Sequence, residues 1–241
     1  MFQTDPFSLI VLFVGLSLLP FVAMVATSYL KIVVVMSLIR NALGIQSIPP
    51  NMVVNALAMI LTFFIMAPIM GESWSIAKDE LAKKTAANAA VQRQTPVSAP
   101  MAGRPQPTTS LFETDVAAKA AEPFREWLSG HTADRERAFF IQTAERLWAK
   151  EDGEPAKVDP ESFSILIPAF CVSELTKAFQ IGFLVYLPFI AIDIIVSNIL
   201  LAMGMMMVSP VTISLPFKLL LFVMVNGWTL LIQGLVRGYV I

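Results

Sequence analysis

Apolar residues dominate both ends of the chain, and charged residues are gathered in its middle. Nearly continuous apolar runs cover residues 7–39, 52–70, 178–207 and 211–235. Each run is long enough for a helix, at about 1.5 Å per residue, to cross the roughly 30 Å hydrocarbon core of a bilayer. Of the 17 basic and 18 acidic residues, eight lie outside residues 71–163, which leaves 27 within that segment. The pattern predicts two apolar helical hairpins, 1–70 and 164–241, separated by a polar segment.

Turn-forming residues mark the expected helix ends. Arg40 in a last turn followed by Gly44 is typical of a helix end, and Pro49 reinforces the turn. Proline lacks the amide hydrogen that a continuing helix needs. We therefore expect Pro188 to bend the long helix of the second hairpin and Pro210 to end it, before a single apolar run returns to about residue 235.

The first hairpin also suggests an orientation. Its first run lacks the basic start and the cleavage site of a secretory signal peptide, so we expect this run to be retained. The turn that follows carries Lys31 and Arg40 but no acid, and basic turns favour the cytoplasmic side. The N-terminus and the polar segment are then expected outside the cytoplasm.

The polar segment, 71–163, divides into three parts. Residues 72–90 are rich in Ala, Lys and Glu and are expected to extend the preceding helix. A Pro-rich stretch at about 91–112 has the composition of a disordered insert. Two helices follow, about 113–128, which Pro123 is expected to kink or split, and 134–150.

Aromatic residues recur at helical spacing in these two helices, among them Trp127 and Phe140. One interpretation is a small two-helix core. The other is self-association outside the membrane, because two short helices make a small core that a neighbouring copy could complete.

Three charged residues lie in the first half of the second apolar hairpin, before the methionine-rich stretch. Glu174 and Lys177 are one helical turn apart and can pair on one face. Asp193 lies 16 residues beyond Lys177, about 160° around a helix, so we expect its partner on another segment or subunit. The alternative is a pair within the chain, with Lys31 or Arg40. Charges at membrane depth normally face protein or a wet cavity.

A methionine-rich stretch, Met203, Met205, Met206 and Met207, lies between the two apolar runs of the second hairpin. The residues have two interpretations, as ordinary apolar filling of a membrane helix or as a deformable seal in a passage. Methionine is unbranched and polarisable, so it can close on itself or mould around varied partners.

Composition narrows the function. Hydrophobic residues make up 56% of the chain and the mean hydropathy is +0.69, well above soluble domains, so the protein is membrane-associated. The net charge of −1 gives no reason to expect nucleic acid. A single cysteine, Cys171, and a single histidine, His131, favour a packed thiol and a surface imidazole. The sequence has no phosphate loop, nucleophile elbow or H-E-x-x-H motif, so no enzyme activity and no cofactor are expected.

Seven motifs, in order, resemble the FliP/SctR family of type III secretion export-apparatus proteins. They are TSYLKIVVV at 27–35, LIRNALG at 38–44, IPPN at 48–51, TFFIMAP at 62–68, SELTKAFQIGF at 173–183, MGMMM at 203–207 and LPFKL at 215–219. The match extends over nearly the whole chain except the Pro-rich insert. That insert, and the absence of a cleavable signal peptide, favour the virulence injectisome branch.

The resemblance implies an all-α fold of kinked membrane hairpins that assemble as a ring or cone around a central pore. About five copies, with FliQ/SctS-like and FliR/SctT-like subunits, would form the entry portal for unfolded substrates across the bacterial inner membrane. FlhB/SctU-like and FlhA/SctV-like proteins would join beneath it, and membrane lipid would surround the multi-pass chain, which has a substantial periplasmic part.

The resemblance also implies roles for particular residues. The four methionines would form a gasket that narrows the closed pore. Buried charges and contacts between subunits would come from Lys31, Arg40, Glu174, Lys177 and Asp193. The alternative function is a stand-alone membrane channel or transporter subunit, which would need a selectivity or substrate site of its own.

Overall fold

The computed structural model describes residues 6–45, 48–94, 114–149, 156–205 and 207–240. Within these ranges all regular secondary structure is helical, as the sequence predicts. The helices are α1 Pro6–Val25, α2 Tyr29–Leu43, α3 Asn51–Gln94, α4 Thr114–Ala120, α5 Glu122–His131, α6 Asp134–Leu147, α7 Phe163–Ala202, α8 Pro210–Met224 and α9 Gly227–Arg237. Apart from residues 91–94, which end α3, the Pro-rich insert lies outside the described residues.

The chain divides into two compact units, and the division falls within α3. One unit consists of residues 1–65 and 131–241, and the other of residues 66–130. The first unit therefore contains both apolar hairpins, apart from residues 66–70. The second unit, here called the polar unit, contains α3 from Met66 onward together with α4 and nearly all of α5.

α2 is the central helix of the first unit because one of its faces is apolar at helical spacing. Ile32, Val35, Met36 and Ile39 are fully buried on this face, and they recur at the i, i+3, i+4 and i+7 positions of a core-facing helix. The face packs chiefly on α7 and also meets α8. The helix ends as predicted, with Gly44 in the left-handed region at φ 79° and its amide bonded to the carbonyl of Asn41.

A glycine allows α2 and α7 to approach closely. A Cβ atom added to Gly182 on α7 would lie 2.3 Å from Cδ1 of Leu38 and 3.2 Å from its Cβ. No side chain other than hydrogen fits there without moving Leu38. This contact fixes the spacing of α2 and α7.

The apolar helices have two breaks that the sequence did not predict. α7 runs through Pro168 and Pro188 as one helix of 40 residues. The first apolar run instead breaks between α1 and α2, which are bent by 55°. The last apolar run breaks between α8 and α9, bent by 59°, at Asn226, whose φ is +52°. The predicted single return helix is therefore two helices.

Among the residues that the structure describes, two helices are individually long and apolar enough to cross a membrane. These are α7 and the stretch 51–87 of α3, and the count rises to four if each bent pair forms one span. α3 also continues well past the apolar run into the polar segment, as predicted, because its composition from Glu72 onward favours a helix.

The polar unit contains short helices joined by surface ion pairs. Pro123 splits the predicted helix as expected: α4 ends at Ala120, and Pro123 occupies the second position of α5, where its missing amide costs no hydrogen bond. Glu80 on α3 pairs with Lys119 on α4 at 3.0 Å. Met66, Ala77, Val116 and Leu128 are buried apolar residues of this unit.

Candidate functional site

The methionine residues lie on a capped turn between α7 and α8, residues 203–209, here called the methionine tip. The amide of Gly204 bonds to the carbonyl of Leu201, and the amide of Met205 bonds to the carbonyl of Leu200, each at 3.0 Å. This pair of bonds is the Schellman ending of a helix, which needs a left-handed residue, and Gly204 supplies it at φ 72°. Pro210 then starts α8. The methionine tip is therefore fixed by the end of α7 on one side and by the start of α8 on the other.

The side chains of the tip are presented outward. Met203 is 67% exposed, Met205 41% and Met207 fully exposed, while Met206 lies outside the described residues. Within a single chain this is unfavourable, because each apolar side chain left in water forgoes about 1.5–3 kcal/mol of burial. The exposed thioethers are therefore suited to contact something beyond the chain.

A buried carboxylate, Glu174 on α7, connects distant parts of the first unit. It is fully buried and accepts from Lys31 on α2 and from Lys177, each at 3.1 Å. The predicted pairing of Glu174 with Lys177 is therefore present. The hydroxyl of Tyr239, near the end of the chain, also donates to Glu174. We call Lys31, Glu174, Lys177 and Tyr239 the buried charge cluster.

Tyr239 is the member of this cluster that sequence reasoning missed. Its ring lies 3.5 Å from the ammonium of Lys31, a cation–π contact, while its hydroxyl reaches Glu174. Burial, and then the charge of Glu174, raise the pKa of the Tyr239 phenol. The phenol therefore remains a donor at neutral pH. Tyr239 is the third residue from the end of the sequence, and nothing in the pattern there indicates that it bonds to a buried carboxylate.

The last residue of α5, His131, and the segment just after it are hydrogen-bonded to α7 beside this cluster. Lys177 donates to the carbonyl of His131 at 2.7 Å, and Ser173 accepts the amide of Ala133 at 2.9 Å. The prediction of a surface imidazole is wrong, because His131 is only 8% exposed and its ring lies 5.4 Å from that of Tyr239. Cys171, expected to be packed, is half-buried and its thiol contacts the carbonyl of Val25.

Asp193 has its partner on α8 within the same chain. Lys218 lies 2.6 Å from one oxygen of Asp193, and Ser214 donates to the other at 2.6 Å. The alternative pairing with Lys31 or Arg40 is therefore wrong, since Lys31 is committed to Glu174. Lys218 also donates to the carbonyl of Ala42 in the last turn of α2 at 3.2 Å. That cation lies at the negative end of a helix dipole.

The remaining predicted site residues have local partners. Arg40 donates to the carbonyl of Pro49 at 3.2 Å and to the side chain of Asn51, which closes the turn of the first hairpin. Trp127 stacks on Phe124 with ring centroids 6.1 Å apart and is half-buried. Phe140 is also half-buried, while its neighbour Phe139 is 60% exposed.

The described residues contain no group of three or more His, Cys, Asp or Glu side chains placed to hold a metal ion. The charges on α7 have structural partners instead: Glu174 is paired with Lys31 on α2, and Asp193 with Lys218 on α8. The candidate functional site is therefore the methionine tip, a fixed turn whose methionine side chains are exposed.

The chain matches the FliP family over residues 12–235. The chain belongs to that family. Because the chain belongs to this family and has apolar helices long enough to cross a bilayer, it is a membrane protein. The matched region of this FliP-family chain includes the methionine tip, the polar unit, and the ion pairs of Glu174 with Lys31 and of Asp193 with Lys218.

Similar proteins cover almost the full length. The Yop proteins translocation protein R of Yersinia pestis is 45% identical over 98% of this chain and 97% of its own. The hypersensitivity response secretion protein HrcR of Ralstonia nicotianae is 44% identical over 96% of both chains. The flagellar biosynthetic protein FliP of Rhizobium meliloti is 35% identical over 93% of this chain and 80% of its own. This FliP-family chain thus shares more with the virulence secretion relatives than with this flagellar one.

Proposed function

We propose that this chain is a pore-forming subunit of a type III secretion export apparatus in the bacterial inner membrane. Near full-length similarity to translocation and secretion proteins of virulence systems supports this assignment. Two to four apolar spans fit a multi-pass inner-membrane protein. The portal would serve unfolded polypeptides, and the polar segment 71–163, with Trp127 and Phe140, would face the periplasm and contribute contacts between copies.

The observation that carries the proposal is the capped, outward-facing methionine tip. A ring of about five copies would bring the tips together, and their apolar thioethers would exclude water from the closed passage. Because methionine has no fixed shape preference, the same side chains could rearrange around a passing chain of any sequence. FliQ/SctS-like and FliR/SctT-like subunits would complete the ring, with FlhB/SctU-like and FlhA/SctV-like proteins beneath it.

The buried charge cluster would act indirectly in this ring. Glu174 is enclosed by its own chain, so it would hold the subunit in the shape that assembles. Arg40, Asp193 and Lys218 would hold the two hairpin turns in the same way, through their bonds to Asn51, Ser214 and Ala42.

The test is closed-state conductance of the reconstituted complex. We expect replacement of Met203, Met205, Met206 and Met207 by alanine to raise leakage of ions several-fold while the number of subunits stays unchanged, because the seal loses its thioethers. Met52→Ala is the matched control, since Met52 is an exposed methionine, 82% accessible, far along the chain from the tip. Equal conductance in the tip variant and the Met52→Ala control would count against the gasket.

A further inference from the structure

An apolar groove lies between α7, α8 and α9 in the first unit. It encloses about 540 Å³, and its walls are entirely apolar. They include Pro188 and Phe189 on α7, Leu221 on α8, and Leu230, Leu231 and Gly234 on α9. The volume is in the range of about 300–1,000 Å³ that holds ligands and side chains in proteins. A groove of this size on a membrane protein needs an occupant.

The break between α8 and α9 favours protein over lipid as that occupant. Val225 and Gly227, on either side of Asn226, line the groove. In the part of the chain that the structure describes, Asn226 gives no side-chain cap to α9, so the first amides of α9 lack a helical acceptor. Irregular backbone at membrane depth is tolerated against protein or water but not against lipid tails. The break therefore faces protein or water, and the apolar side chains that line the groove favour protein.

A helix suited to the groove is α1, which packs on α2 and, among the residues that the structure describes, contributes none to the groove walls. The helix and the groove are therefore two distinct surfaces of the same unit. The consecutive residues Phe21, Val22, Ala23, Met24 and Val25 are all exposed, which means that every face of this part of α1 is uncovered. A helix that is apolar all round is covered by protein or by the membrane.

We propose that α1 of one copy lies in the groove between α7, α8 and α9 of the next copy. The inference rests on the ring proposed above and identifies the surfaces that build it. A protruding helix and a groove on a different surface of the same chain form a heterologous contact, which closes into a ring when the rotation between copies fits. The same contact supplies apolar cover to α1 and protein cover to the break at Asn226.

Gly234 marks the place where the incoming helix approaches most closely. No atom lies within 4 Å of a Cβ added to Gly234. The space above it is therefore open within one chain, and small residues on a helix allow a second helix to come near. A larger side chain at this position fills the groove without disturbing its own chain.

Cysteine cross-linking in the complete export complex tests the contact directly. Cys171→Ser provides the background, Leu230→Cys labels the groove, and Phe13→Cys, Leu18→Cys and Phe21→Cys label α1 in turn. These four label positions are exposed by 53–69%. We expect at least one double variant to give a ladder of linked copies, and mixtures of the two single variants to give dimers only. An assembled ring without any such link would overturn the groove contact but leave the proposed function standing.

A groove-filling substitution gives a second, independent outcome. We expect Gly234→Leu to lower the number of copies per complex in native mass spectrometry, while helix content and membrane insertion persist. Gly71→Leu is the control, because Gly71 is an exposed helical glycine that also has open space around its Cβ. An unchanged copy number in Gly234→Leu, or a bound phospholipid that this substitution displaces from an otherwise intact ring, would overturn the inference. A wild-type complex holding one copy would overturn the ring and the groove contact together.

Discussion

Replacing Glu174 by alanine is expected to lower the free energy of unfolding by about 3–5 kcal/mol, the usual cost of breaking a buried ion pair. The magnitude follows from the position of the carboxylate, which has no exposed surface and serves two lysines and Tyr239. Without it the ammonium of Lys31, whose side chain is 4% exposed, stays buried without a countercharge. The loss should also detach Tyr239 from α7.

Denaturant titration of the purified protein in detergent measures this effect. Glu122→Ala is the control, because its i,i+3 pair with Arg125 is partly exposed and should be worth at most about 1 kcal/mol. The double variant Lys31→Met with Glu174→Gln should recover most of the stability, since no buried charge is then left unpaired. Lys177 is 39% exposed and keeps its bond to the carbonyl of His131. If Glu174→Ala unfolds no more easily than Glu122→Ala, the cluster does not stabilise the subunit as described.

Replacing Lys218 by methionine is expected to cost about 2–4 kcal/mol. Lys218 is buried and joins three helices, through Asp193 on α7, the carbonyl of Ala42 on α2 and its own place on α8. The side chain of Asp193 is 33% exposed, so water compensates part of the lost pairing. The effect should therefore be smaller than that of Glu174→Ala.

Thermal unfolding of the purified protein checks the role of Lys218. Arg237→Met removes an exposed cation from α9 and provides the matched control. Adding Asp193→Asn to Lys218→Met should restore part of the melting temperature, because the amide leaves no buried charge. A melting temperature for Lys218→Met equal to that of Arg237→Met would contradict the three-helix connection.

Features that depend on one residue and its close neighbours could be predicted from the sequence. The end of α2 at Gly44, the start of α8 at Pro210 and the split at Pro123 each follow from the backbone limits of one residue. The apolar runs likewise predicted where helices form. These features depend on residues within a few positions of each other.

Features that depend on distant parts of the chain were not predicted. Asp193 lies ten residues before Met203, and Lys218 lies nine residues after Ser209. This near-equal spacing from the tip would have indicated that the two face each other across an antiparallel hairpin. Tyr239 and His131 offered no comparable pattern, because their contacts arise only when the second hairpin packs against the first.

The break at Asn226 was also missed, since asparagine within an apolar run is a weak helix breaker by propensity. Lys31 was expected in the basic turn of the first hairpin, but it lies on α2 and is buried against Glu174. A lysine paired inside the protein contributes little to the charge that decides which side of the membrane a turn occupies.

The central claim is that methionine tips from several copies meet at one closed point. Cross-linking of Met207→Cys between identical copies tests it most directly, because this fully exposed residue lies on the tip. With a short thiol-reactive reagent, the intact complex carrying Met207→Cys in a Cys171→Ser background should give linked copies, and the same complex carrying Met52→Cys should not. An intact multi-copy complex in which Met207→Cys forms no links between copies would contradict the claim.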